Sequence, residues 1–110
     1  MIEFTDREWD EICDEVDKTI IKAQDDLPEK IRKKSESIAC IVDKYTQREG
    51  WKVLGCFIPF TNTIVIYAGQ IYEDCRNITE TMKSVRQVYY HELAHAIGDL
   101  SEHEVKERGL

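Results

Sequence analysis

The stretch VYYHELAHAIGDLSEHEV, Val88 to Val105, carries all three histidines of a 110-residue chain. Read as a helix at about 100° per residue, it sets His91 and His95 roughly 40° apart around the axis and one turn apart along it. Both imidazoles can then reach a single ion. Met82, Tyr89, Leu93 and Ala96 form an apolar stripe centred on the opposite side, so the histidines stand off the main packing face and are poorly explained as satisfied core residues. Glu92 lies about 100° from His91, near enough to reach a water on the ion without binding the ion itself. H-E-x-x-H thereby combines two zinc ligands and a general base in one pentapeptide.

Three protein ligands leave zinc one position for water. The third donor must come from the turn after Gly98, where Asp99, Glu102, His103 and Glu104 all carry donor atoms. Ser101 and Glu104 have capping-box spacing, which occupies Glu104 on the backbone and puts Glu102 and His103 in the first turn of a last short helix. Imidazole is the more common zinc ligand, but an isolated histidine is equally a solvated surface residue, and these residues alone leave Glu102 and His103 open.

Outward from the motif, Met82, Val85, Tyr89, Leu93, Ala96 and Ile97 keep helical period. Thr79 is the expected cap at the start of this helix and Gly98 its stop. A short helix is expected over Gln70 to Cys75. WKVLGCFIP and NTIVIYA read as two strands, joined through Pro59-Phe60-Thr61-Asn62 in a hairpin-like connection. Before the polar segment TQREG, Ser37 to Tyr45 is a third strand with both faces apolar, expected to be covered on both sides. Thr5 and Glu8 have capping-box spacing, and Trp9, Ile12, Cys13, Val16, Ile20 and Ala23 then share one face of a first helix over Asp6 to Gln24. Pro28 is suited to the first position of a second helix ending near Ser35.

The length suits one domain over residues 1–110, without repeats. The start, MIEFTDREWDE, is acidic where a signal peptide is basic and then apolar, and no apolar run approaches the roughly 20 residues of a membrane span. A soluble, cytoplasmic protein with no membrane partner is expected. Cys13, Cys40, Cys56 and Cys75 are widely spaced among apolar neighbours and read as buried, reduced thiols. The net charge of -7 repels a phosphate backbone, so no nucleic-acid partner is expected, and KIRKK at Lys30 to Lys34 reads as a solvated helix face.

Over nearly its whole length the chain resembles the minimal zincin-like metallopeptidase family of small bacterial proteins. The shared pattern is the acidic amphipathic first helix running into DDLPEKIR (Asp25 to Arg32), then VLG (Val53 to Gly55), IVIYAGQI (Ile64 to Ile71) and HELAHAIG (His91 to Gly98), with a terminal leucine-containing helix. The metal motif is the specific part; LP and LG gain weight from their order and spacing. The resemblance implies an α+β fold, a small twisted mixed sheet with packed helices, one of which carries the zinc motif. It also implies an acidic third ligand three residues after the motif glycine. That position is Ser101 here, a departure; one extra residue in the turn puts Glu102 in the ligand's place, and Glu102 is preferred over His103 on that ground.

A zinc peptidase is the implied activity. His91, His95 and Glu102 would hold Zn2+, Glu92 would act as general base, and the substrate would be a peptide or protein. An extended substrate is expected to add as a strand wherever the edge WKVLGCF borders the site. Tyr89 and Tyr90 adjoin the motif and could assist an oxyanion, although helical tyrosines are more often core or surface residues. The alternative is a metal-stabilised, non-catalytic interaction module on the same scaffold, suggested by the few residues that follow His103.

Overall fold

The computed structural model describes residues 1–46 and 53–98. Helix α1 (Asp6–Asp25) opens with the expected capping box: Thr5 Oγ1 accepts from the Glu8 amide at 3.1 Å and Glu8 Oε1 accepts from the Thr5 amide at 3.3 Å. These bonds satisfy two of the donors that a helix start leaves without intrahelical partners. Its stripe of Ile12, Val16, Ile20 and Ala23 is buried. Helix α2 (Glu29–Glu36) starts one residue later than expected, with Pro28 as the cap, where a missing N–H costs nothing. It buries Ile31 and Ser35 and leaves Lys30 and Lys33 exposed.

Three strands follow: β1 (Ala39–Asp43), β2 (Gly55–Ile58) and β3 (Thr63–Tyr67), in the order β1-β3-β2. β3 runs parallel to β1 and antiparallel to β2, so the sheet is mixed. A 3-10 turn over Pro59–Thr61 joins β2 to β3, and Asn62 closes it in a left-handed conformation at φ 51°. Trp51 and Lys52, the start of the first strand candidate, lie outside the described residues.

Alternation along the strands decides what each face meets. Ile64 and Ile66 enter the core shared with all the helices, and Cys40, Val42 and Phe57 pack beside them. Val65 is buried but stands apart from that core. β1 corrects the expectation of a strand covered on both sides: Ala39, Ile41 and Asp43 are exposed, Ile41 by 52%. β1 pairs with β3 alone among the described strands, and the helices bury their apolar faces on the other side of the sheet, so an apolar pattern on both faces did not mean burial on both.

β3 runs directly into α3 (Ala68–Cys75), two residues earlier than expected. That tight entry depends on Gly69. A β-carbon there would lie 2.5 Å from the Lys44 carbonyl oxygen and 2.9 Å from its carbonyl carbon. The same carbonyl accepts the Gln70 amide at 2.9 Å, tying the start of α3 to the end of β1. Helix α4 (Ile78–Ile97) completes, among the described residues, an α+β fold of four helices on a small mixed sheet. Among the described residues no helix is long and apolar enough to cross a membrane.

All four cysteines are free thiols, and each is half-buried where full burial was expected. Cys40 sits on the core side of a strand at the sheet edge, where burial, aided by the nearby Asp17 charge, pushes its pKa up to about 12. Burial also raises the phenols of Tyr89 and Tyr90.

Two outcomes are expected. Gly69→Ala forces backbone apart and should cost about 1–3 kcal/mol in urea unfolding. Because the folded Cys40 thiol keeps its proton to higher pH than the unfolded one, its contribution is complete below the ordinary thiol pKa of 9.0 and is lost as pH rises toward about 12. The urea midpoint should therefore fall on going from about pH 9 to about pH 11, and Cys40→Ala should make that fall shallower, the Cys13 thiol and the tyrosines, also raised by burial, contributing to the remainder.

Candidate metal centre

α4 carries HELAH in its last two turns, and its seating determines where those side chains stand. The helix is capped two residues before the expected Thr79. Asn77 is the cap, its Oδ1 accepting the Glu80 amide at 2.8 Å, and the N-x-x-E spacing of Asn77 and Glu80 was the signal for it. Gly98 ends the helix at φ 72°, a left-handed conformation that favours glycine.

Val85, Tyr89, Tyr90 and Leu93 are almost completely buried in the core. The Tyr90 hydroxyl donates to the Ala23 carbonyl oxygen at 2.6 Å. Arg86 lies over the Tyr90 ring and pairs with Asp26 at 2.9 Å. The end of α1 is thus fastened to α4 one turn before the motif, and this gives Asp26 in the DDLPEKIR stretch a structural role. Neither tyrosine is placed to assist chemistry. Tyr90 is committed to α1, and the Tyr89 hydroxyl is buried in the core, away from the exposed histidine face.

With that face buried, the opposite one presents His91 and His95 to solvent. Their Nε2 atoms converge to 3.2 Å, with the rings nearly perpendicular at 80°. Two nitrogens bound at about 2.0–2.1 Å on a tetrahedral zinc lie about 3.3–3.4 Å apart, so the separation of the pair matches what two ligands of one such ion need. The contact is also a hydrogen bond whose donor depends on the ring tautomers. Glu92 is different. It is 9% exposed, and its Oε1 stands 4.0 Å from His91 Nε2. A buried carboxylate thus borders an exposed imidazole pair.

Strand β2 lies against this part of α4. Its closest approach is at Gly55, where a β-carbon would stand 2.4 Å from Val88 Cγ1 and 3.6 Å from Glu92 Cγ. Spacing along the helix does not reveal this contact; VLG was its only trace in the sequence. Among the described residues β2 pairs with β3 alone, leaving its other edge open beside the motif helix.

The candidate third ligands Glu102, His103, Asp99 and Glu104 lie outside the described residues. Among the described residues no group of three His, Cys, Asp or Glu side chains is assembled for a metal ion.

A sequence-family profile described as zincin-like metallopeptidase matches residues 43–110, a span that runs from the end of β1 through the motif helix. No curated protein matches the chain.

Proposed function

The chain belongs to the zincin-like metallopeptidase family, and from that membership we propose that it hydrolyses peptide bonds in a peptide or protein substrate. His91, His95 and Glu102 would hold zinc, and Glu92 would serve as general base. The observation that carries this reading is the convergence of two imidazole nitrogens to 3.2 Å on an exposed helix face beside a buried carboxylate.

Bound zinc supplies Lewis acidity, both to lower the pKa of a water and to polarise the scissile carbonyl. Each imidazole offers its Nε2 lone pair only when its proton sits on Nδ1, so the proposed role selects one tautomer for both rings. Glu92 accepts the proton of the attacking water and delivers it to the departing amine, which returns the carboxylate to its starting state. Its place beneath β2 limits the orientations its side chain can take, and fixed orientation is worth much of a catalytic group's effect.

The edge of β2 that pairs with no strand among the described residues supports binding of the substrate as an added strand, with main-chain hydrogen bonds holding an extended peptide. Glu102 remains the preferred third ligand over His103, on the acidic ligand that follows the motif glycine in the resembling family.

Two measurements test the reading. Purified without chelator, the protein should hold about one zinc per chain. His91→Ala and His95→Ala should each abolish stoichiometric binding, and full occupancy in both would move the metal elsewhere. Glu102→Ala should weaken zinc markedly while His103→Ala loses little; the reverse pattern would make His103 the ligand. In a peptide-library cleavage assay, Glu92→Gln should keep its zinc and lose about 10²–10⁴-fold in hydrolysis. Zinc retained with no cleavage by the wild type would instead favour the non-catalytic, metal-stabilised module.

A further inference from the structure

We infer that Gly55 is a positioning residue for Glu92. Its missing side chain lets β2 lie close enough to α4 to hold the carboxylate in place, while leaving the histidine pair untouched. The inference rests on the proposed role of Glu92 for its meaning in catalysis, but not for its geometry.

A β-carbon on Gly55 would meet Val88 Cγ1 at 2.4 Å, the Val65 carbonyl oxygen at 3.1 Å and Glu92 Cγ at 3.6 Å. Ordinary carbon–carbon contact begins about 1 Å beyond the first of these distances. Val88 has little freedom to turn away, because a β-branched side chain in a helix is held to one dominant rotamer. Tilting the strand to relieve that clash is opposed by the carbonyl of its own partner strand, which carries the antiparallel pairing of Gly55 with Ile66 and Cys56 with Val65. The remaining response is for β2 to lift from α4.

Val88 and Glu92 are one turn apart on the same face of α4, so lifting β2 from one lifts it from the other. Glu92, whose Cγ lies 3.6 Å from the place of that β-carbon, then gains both solvent and rotamer freedom. His91 and His95 respond differently. Both face solvent four residues apart on the helix, and neither is among the nearest atoms that a β-carbon on Gly55 would meet. The two parts of the site therefore depend on different constraints, and Gly55 belongs to only one of them.

The test compares wild type with Gly55→Ala, Val88→Ala and the double variant, first without metal, by carbodiimide labelling of carboxylates read residue by residue in a mass spectrometer. Glu92 labelling should rise several-fold in Gly55→Ala. Glu80, exposed at the far end of the same helix, serves as the control and should stay unchanged. In the double variant, where loss of Val88 Cγ1 makes room for the new methyl, Glu92 labelling should return toward that of Val88→Ala alone. If Gly55→Ala does not fold, a folded double variant with protected Glu92 carries the same conclusion, and an unfolded one overturns it. Equal Glu92 labelling in wild type and Gly55→Ala also overturns it, as does a rise shared equally by Glu80.

With zinc added, Gly55→Ala should bind the metal with wild-type stoichiometry yet lose about 10- to 100-fold in kcat, recovered in part by Val88→Ala. Zinc lost together with activity would overturn the separation of the two constraints. A wild type that cleaves no peptide defeats the peptidase reading, and the labelling result still decides the role of Gly55.

Discussion

The burial of Tyr89, Tyr90 and Leu93 against the α1 side of the core sets the rotation of α4 about its own axis, and every feature of the candidate site follows from that rotation. A helix that buries one face must offer the residues of the opposite face to solvent. Turned by even one residue, α4 would draw an imidazole into the core or push Glu92 out of its cover. Apolar packing alone resists such a turn only softly, since the buried stripe is wide. The directional contacts are what make the seating definite: the Tyr90 hydroxyl on the Ala23 carbonyl, and Arg86 held between the Tyr90 ring and Asp26.

Given that seating, the chemistry divides between two scales of structure. The histidine pair is a local object. A spacing of four residues on any regular helix brings two imidazoles together, and the 3.2 Å separation of their nitrogens is close to what a tetrahedral ion asks of two ligands. The carboxylate between them is a tertiary object: it is buried, and a strand contributed from elsewhere in the chain comes close to its side chain at Gly55. Placing a carboxylate with so little exposure works against stability, and departures of that kind are expected where function sets the requirement.

The sheet serves this arrangement with little material. Among the described strands β3 alone has neighbours on both sides, and its Ile64, Val65 and Ile66 are all buried. Two glycines let the surrounding elements close on it. Gly69 brings the start of α3 onto the Lys44 backbone, and Gly55 brings β2 onto α4. Both lie in stretches, AGQI and VLG, whose order along the chain contributed to the family resemblance. Their common property is the absence of a side chain at a close approach.

Much of this was legible in the residues by themselves. The capping box of Thr5 and Glu8, the four-residue histidine spacing, the apolar stripe of α4 and its glycine stop are local patterns, set by helix geometry over a few positions, and they appear in the structure as the sequence implies. Local pattern also misled. Thr79 and Asn77 are both good caps, and the helix is capped by Asn77, which has Glu80 three residues on; β1 alternates apolar residues on both faces, and only its place at the sheet edge left Ile41 exposed. The tertiary structure alone decided that Glu92 would be buried while His91 and His95 were exposed, and that Gly55 would be the point of contact. Contacts between a strand and a helix more than thirty residues apart leave no periodic trace in sequence, because their geometry is set by how the elements close around a shared core.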